Sequence, residues 1–364
     1  MKRYRKQMIA AGILLAVILA GNLLARKTDW FGEWYAVTVY PWFVESAARI
    51  SNLIPTSLIE LALYGGVLLL VFLLVRSVVR LVKRKTSIGR ALANGAWGLL
   101  LAALSLLAVE TLTCGINYYR DEFSKVSGLT VEESTAEDLE GLCRRLLAEV
   151  NEAAADLQRD AKGFCVLDFD AEQEAREAMK KLGEQFPALD GYYPRPKKIL
   201  TSAALSYQKL AGVYSAFTIE ANYNRDMPDY EKPSTMCHEL SHLRGFMRED
   251  EANYIAYLAC MGSENAAFRY SGSMMAFVYA TNALYPENEE AYWEIRESLR
   301  EEVKAEWGAA GKWWAQFDGP VAEAYDKGAD TFLKANGQTD GTKSYGRMVD
   351  LLLADYRKQQ RQAE

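Results

Sequence analysis

The chain has 364 residues, half of them apolar, and a formal net charge of −6; that length allows about two domains with a sizeable core. Charge is unevenly placed: residues 1–114 hold 13 Lys/Arg against 5 Asp/Glu, whereas residues 115–364 hold 29 against 43. An acidic second part repels phosphate, which argues against nucleic acid or anionic lipid as its partner.

The N-terminus opens with four basic residues, Lys2, Arg3, Arg5 and Lys6, and residues 8–25 are an apolar run at the lower end of what crosses a bilayer. A cleaved signal peptide is the rival reading. A retained anchor is favoured, because no small-x-small cleavage site precedes Arg26 and further apolar runs follow. Residues 28–56 are aromatic-rich, with Trp30, Trp34, Tyr35, Tyr40, Trp42 and Phe43, which suits an interfacial loop, a short amphipathic helix at the headgroups or a linker. Residues 58–75 and 91–112 read as a second and a third span. Arg76, Arg80, Lys83, Arg84, Lys85 and Arg90 lie between them, against three basic residues in the first loop. The positive-inside rule then places the N-terminus and second loop in the cytoplasm and everything after Cys114 outside. Residues 1–114 are thus expected to form a membrane domain and residues 115–364 an extracytoplasmic one.

Beyond residue 130 the pattern becomes that of soluble helices. Residues 134–157 repeat Leu139, Leu142, Leu146, Leu147 and Val150 at threes and fours, and residues 171–182 are a second such segment, stopped by Gly183 and Pro187. Residues 193–196 read as a Pro-rich connector, and residues 212–224, with Val213, Phe217 and Ile219, as a strand. Five scattered cysteines form no C-x-x-C; Cys143 and Cys165 read either as a disulfide or as two buried thiols.

Residues 233–260 hold both histidines of the chain. His238 and His242 stand four apart, so on a helix both imidazoles leave one face a turn apart and can share a metal ion. Glu239 is placed to reach a water on that ion. Ser234 or Thr235 is expected to cap a helix starting near Met236, and Gly245 to close it in a left-handed conformation. A second helix is expected from about Met247, with Glu249, Ala252, Asn253, Ala256 and Cys260 on one small-residue face. Glu249 at its start is the expected third ligand. Glu251 is the competitor, but on one helix it points about 200° away from Glu249. Asn253, one turn on, is expected to orient a ligand. Two histidines, one carboxylate and an open fourth position are the donor set of a catalytic Zn²⁺ site.

After Cys260, residues 270–284 carry a core stripe that includes Met274, Phe277 and Val278, residues 289–307 a charged amphipathic helix, residues 336–341 a turn and residues 345–356 a last helix. Trp313, Trp314 and Phe317 are expected to pack the end of the domain.

His238-Glu239-Leu240-Ser241-His242 followed by Glu249-Asp250-Glu251-Ala252-Asn253 resembles the gluzincin metallopeptidases. The wider pattern, His-Glu-x-x-His-x-x-Gly-Phe, then Glu-Asp-Glu-Ala-Asn and Phe268-Arg269-Tyr270-Ser271-Gly272, is similar to a bacterial family of membrane-anchored proteins of unknown function. The resemblance implies a mostly α, zincin-like α+β domain with a small sheet, following the transmembrane α-helices. It also implies that the strand before the metal helix receives an extended substrate; an internal strand is the plain alternative. Two departures stand out: the gap from His242 to Glu249 is shorter than in most gluzincins, and Asn253 stands where many have Asp.

The expected chemistry is hydrolysis, with His238, His242 and Glu249 on zinc and Glu239 as the base. Tyr270, Tyr345, Arg269 and Arg248 are candidates for stabilising the oxyanion, Tyr270 first because it lies closest in sequence to the site helices. A membrane-anchored zinc peptidase acting on a peptide or protein is the favoured function, and a structural or sensory metal site is the alternative. Glu239 separates them, since a purely structural site needs no base.

Overall fold

The computed structural model describes residues 4–363. Among these residues, three helices are long and apolar enough to cross a membrane: α1 (Arg5–Lys27), α3 (Leu58–Val82) and α4 (Ile88–Thr113). The spans expected at 8–25, 58–75 and 91–112 fall inside them. The helices run further because the basic segment after residue 75 stays helical, and because Ser57 and Ser87 cap α3 and α4 by accepting from Glu60 N and Arg90 N. Gly21 lets α1 approach α4, since a Cβ there would come within 3.2 Å of Thr111 Cγ2.

Residues 31–51, expected as interfacial, form a helix (α2) that alternates α turns with π turns at Tyr35–Val39 and Val44–Ala48. The wider i→i+5 turns shift the face by a residue. Tyr35, Tyr40, Val44 and Ala48 thereby make one buried stripe inside the main core, while Trp42 stays 78% exposed on the other side. A domain boundary at residue 114 would cut through this core: the stripe before it packs with Leu142, Met236 and Phe246 after it in a single cluster.

The body beyond α4 continues through α5 (Phe123–Ser127), α6 (Ala136–Ala155), α7 (Ala171–Gln185) and α8 (Ser202–Ser206). Thr135 and Asp138 form a capping box on α6, and the 171–182 segment is helical as its periodicity predicts. Residues 212–224 are not one strand but a hairpin, β2 (Gly212–Ser215) antiparallel to β3 (Glu220–Asn224). Two good β-formers of the stretch, Phe217 and Ile219, sit in its turn, where Ile219 reverses the chain at φ 52°. β1 (Lys197–Ile199) pairs in parallel with β3, giving the order β1-β3-β2 with β2 at an edge.

The remaining helices are α9 (Lys232–Leu243), α10 (Glu249–Met261), α11 (Ala266–Leu284), α12 (Glu289–Glu297), α13 (Glu301–Ala315), α14 (Pro320–Ala335) and α15 (Met348–Ala363). The segment 289–307 expected as one helix breaks at residues 298–300 into α12 and α13. Trp313 stacks edge-on against Trp314 and Phe317, at 4.7 and 5.0 Å between centroids. All five cysteines are free and buried, so Cys143 and Cys165 are two thiols and not a disulfide.

Candidate metal centre

The helix that carries both histidines starts at Lys232, four residues earlier than expected. Pro233 occupies its first turn, where a missing N–H leaves nothing unpaired. Ser234 and Thr235 do not cap it; their hydroxyls donate back to Glu231 O at 3.2 and 2.8 Å. The far end is as anticipated. Gly245 takes φ 86° and donates to His242 O, and Phe246 N donates to Ser241 O, so the chain turns sharply into α10.

This turn delivers Glu249 to the histidine pair. His238 Nε2 and His242 Nε2 are 3.0 Å apart, and Glu249 Oε2 lies 3.2 and 3.5 Å from them. Three donors placed tetrahedrally at ~2.0–2.1 Å from one ion stand about 3.3–3.4 Å from each other, so the triangle fits a zinc-sized cation. His242 Nδ1 is 2.8 Å from Phe246 O. Donation from Nδ1–H to that carbonyl leaves the Nε2 lone pair facing the centre, the tautomer that ligation requires.

Electrostatics agree with the geometry. Burial works against a charge on either group, but Glu249 pushes His242 up to about 9, and His242 with His238 holds the Glu249 carboxyl well below the usual carboxylate range. Such a centre attracts positive charge. Burial pushes Glu239 up to about 7, with the two histidines opposing it. Its carboxylate lies beside edge strand β2, near the backbone of Tyr214, and would meet a Cβ on Gly212 at 2.5 Å. Glycine is therefore needed at position 212 for the strand to pass.

Around the centre, Glu251 is buried and turned elsewhere: it accepts from Phe123 N at the start of α5 and from Arg248. The two acids thus separate as the helical phase requires. Asn253 donates to Tyr279 Oη at 3.4 Å rather than to Glu249. Tyr270 does not join the cluster. Its hydroxyl is buried and donates to Glu306 Oε2 at 2.9 Å, because its place on α11 aims it into the core beside Tyr230. Arg269 bonds Ser263 O and Glu264 O, and Arg248 bonds Glu251 and Arg120 O. Of the four oxyanion candidates, Tyr345 alone comes near the site, its hydroxyl pushed up by burial and by the charge of Glu249. Tyr325 on α14 is a further neighbour, its hydroxyl pushed up by burial and by the charges of Glu249 and Glu239. No local pattern marks Tyr325, Tyr214 or Gly212, since each reaches the site only through tertiary packing.

Membrane-length apolar helices fused to a helical body with a His-His-Glu corner define the general class of this molecule. The chain belongs to the family described as protein of unknown function DUF3810, whose model matches residues 35–353. No curated protein and no solved structure matches it.

Proposed function

We propose that this protein is a membrane-anchored zinc peptidase of the gluzincin type. The observation that carries the reading is Glu239: a buried carboxylate beside two imidazoles and a third ligand, at the edge of a strand, where a purely structural metal site would have no use for it. His238, His242 and Glu249 would hold the ion. When bound, zinc supplies Lewis acidity, acidifying water and polarising a carbonyl. Glu239 is placed to take the proton of the attacking water and hand it to the leaving amine. Tyr345 and Tyr325 offer hydroxyl donors to an oxyanion. The outer edge of β2 offers backbone groups to an extended peptide, in the manner of strand addition. The basic-residue asymmetry of the loops supports an extracytoplasmic site.

The purified full chain, assayed by mass spectrometry on a proteome-derived peptide mixture and by elemental analysis, tests this. Glu239→Gln should keep its zinc and lose hydrolysis, whereas His238→Ala should lose both; full activity in Glu239→Gln removes the peptidase reading. For sidedness, a membrane-impermeant thiol reagent on whole cells should label Asp340→Cys and not Lys83→Cys, both positions being exposed and the native cysteines buried. The reverse labelling puts the site in the cytoplasm.

A further inference from the structure

We infer that the substrate is a polypeptide anchored in the same bilayer as this chain and cut close to the point where it leaves the membrane. This rests on the peptidase reading above and adds to it the class of substrate.

The first observation is the height of the metal corner. On α4 the exposed apolar face includes Leu106, Leu107 and Val109, and one turn later Thr113 O accepts from the Tyr214 hydroxyl at 3.3 Å. Tyr214 lies on β2 beside Glu239, and its ring is 6.3 Å from that of His242. Cys114 Sγ, the next residue after α4, is 3.8 Å from Met247 Sδ, two residues before Glu249. One side chain separates the end of a membrane-length helix from the centre.

The second is that this height is fixed. Glu220 of β3 accepts from Leu58 N and Ile59 N at 3.1 and 3.0 Å, the first turn of α3, and Lys197 of β1 pairs with it while donating to Ser51 O. In return Glu60 of α3 accepts from Leu200 N and Thr201 N, both at 2.8 Å. The exposed apolar face of α3 begins at once, with Leu61 and Leu63. The sheet therefore stands on two helix ends, with β2 over α4 and β1 and β3 over α3. No free tether lets the site rise to meet a substrate in bulk water.

The third is the wall near Glu239 and Glu249. Helix α14 shows Val321, Tyr325 and Phe332 exposed at i, i+4 and i+11, so they share one face, and Tyr325 is the residue that feels both acids. Its C-terminal end is held at the end of α1, where Arg26 donates to Ala335 O at 2.5 Å. A metal corner at the level of the lipid surface, with an edge strand and an apolar helix face beside it, fits the extended apolar stretch that flanks a membrane anchor.

The test uses the full chain with zinc in lipid vesicles. A randomised linker of about 20 residues, roughly 70 Å when extended, is presented either on a single apolar helix in the same vesicles or as free peptide. Mass spectrometry of the products should find cuts in the anchored library clustered at its membrane end and enriched roughly a hundredfold over the free peptides, the gain expected from a shared surface. Equal cutting of both libraries, or cuts spread evenly along the anchored linker, overturns the substrate class and leaves the peptidase reading standing. Cutting of neither overturns the peptidase reading and this inference with it. A second readout needs no turnover: cobalt(II) bound at the corner should quench a fluorophore on the lipid headgroups, and His242→Ala should abolish the effect. Stoichiometric cobalt without quenching refutes the height.

Discussion

Two of the places where this molecule buries carboxylates treat them differently. At the joint between α3 and the sheet, Glu220 and Glu60 are met by four backbone N–H groups, a lysine and two hydroxyls. At the corner between α9 and α10, Glu249 faces two imidazoles, and its Oε2 has no conventional hydrogen-bond donor. Burying a charge costs several kcal/mol unless partners replace its water, so the joint is saturated and behaves as structure. The corner is left with convergent lone pairs, which is the form of a binding site.

The contrast is open to a graded set of perturbations. The largest effect is expected at the corner: Glu249→Gln should empty the site of zinc after dialysis, since a full set of ligands is worth on the order of 10–16 kcal/mol. Glu251→Gln should keep stoichiometric metal, its carboxylate serving Phe123 N and Arg248. The assignment of the third ligand sinks if the two results are exchanged. At the joint, Glu220→Gln leaves Lys197 buried without its counter-charge, and about 3–5 kcal/mol should be lost. Denaturation in detergent reads that loss, while the folded fraction should still bind zinc one to one; loss of metal without loss of stability would mean that the two carboxylate sites are not distinct in kind. Tyr345→Phe should keep the metal and lower kcat by roughly 10²–10³, the range for removing an oxyanion donor. An unchanged kcat would move that role to Tyr325. The smallest effect belongs to Tyr270→Phe, which removes one buried hydrogen bond to Glu306 and should cost about 1 kcal/mol of stability with no change in kcat.

The parts of the site that could be read from the chain are those set by local geometry. His238, Glu239 and His242 lie within one helical turn and a third, and Glu249 follows across a turn marked by Gly245, so the i, i+4 rule and the left-handed glycine carry most of the inference. Apolar run length likewise locates the three long helices, though it ends them too soon because it cannot see that a basic segment continues the helix. What escaped depends on distance in sequence. Tyr345 is among the sequence candidates but ranks below Tyr270 by proximity along the chain, and Tyr325 is not among them; both lie near Glu249 only because α14 and the turns after it fold back over the corner. The hairpin was missed because Phe217 and Ile219, good strand formers, occupy its turn. The joint was invisible because Glu60, Lys197 and Glu220 come from three separate elements. The buried stripe of α2 was hidden by its π turns, which break the 3.6-residue period.

That stripe limits how the molecule can be divided. Tyr40 donates to Leu243 O, the last residue of the histidine helix, and bonds the Tyr214 hydroxyl at 2.8 Å, so a residue upstream of two long helices props both the helix and the strand of the site. A soluble fragment starting after α4 would lack Tyr35, Tyr40, Val44 and Ala48 and would open a slot beneath the strand that carries Gly212. The His-His-Glu corner is thus not a portable module that could be grafted behind another anchor or released by cutting a linker. Chain segments on both sides of the membrane-length helices would have to be inherited together.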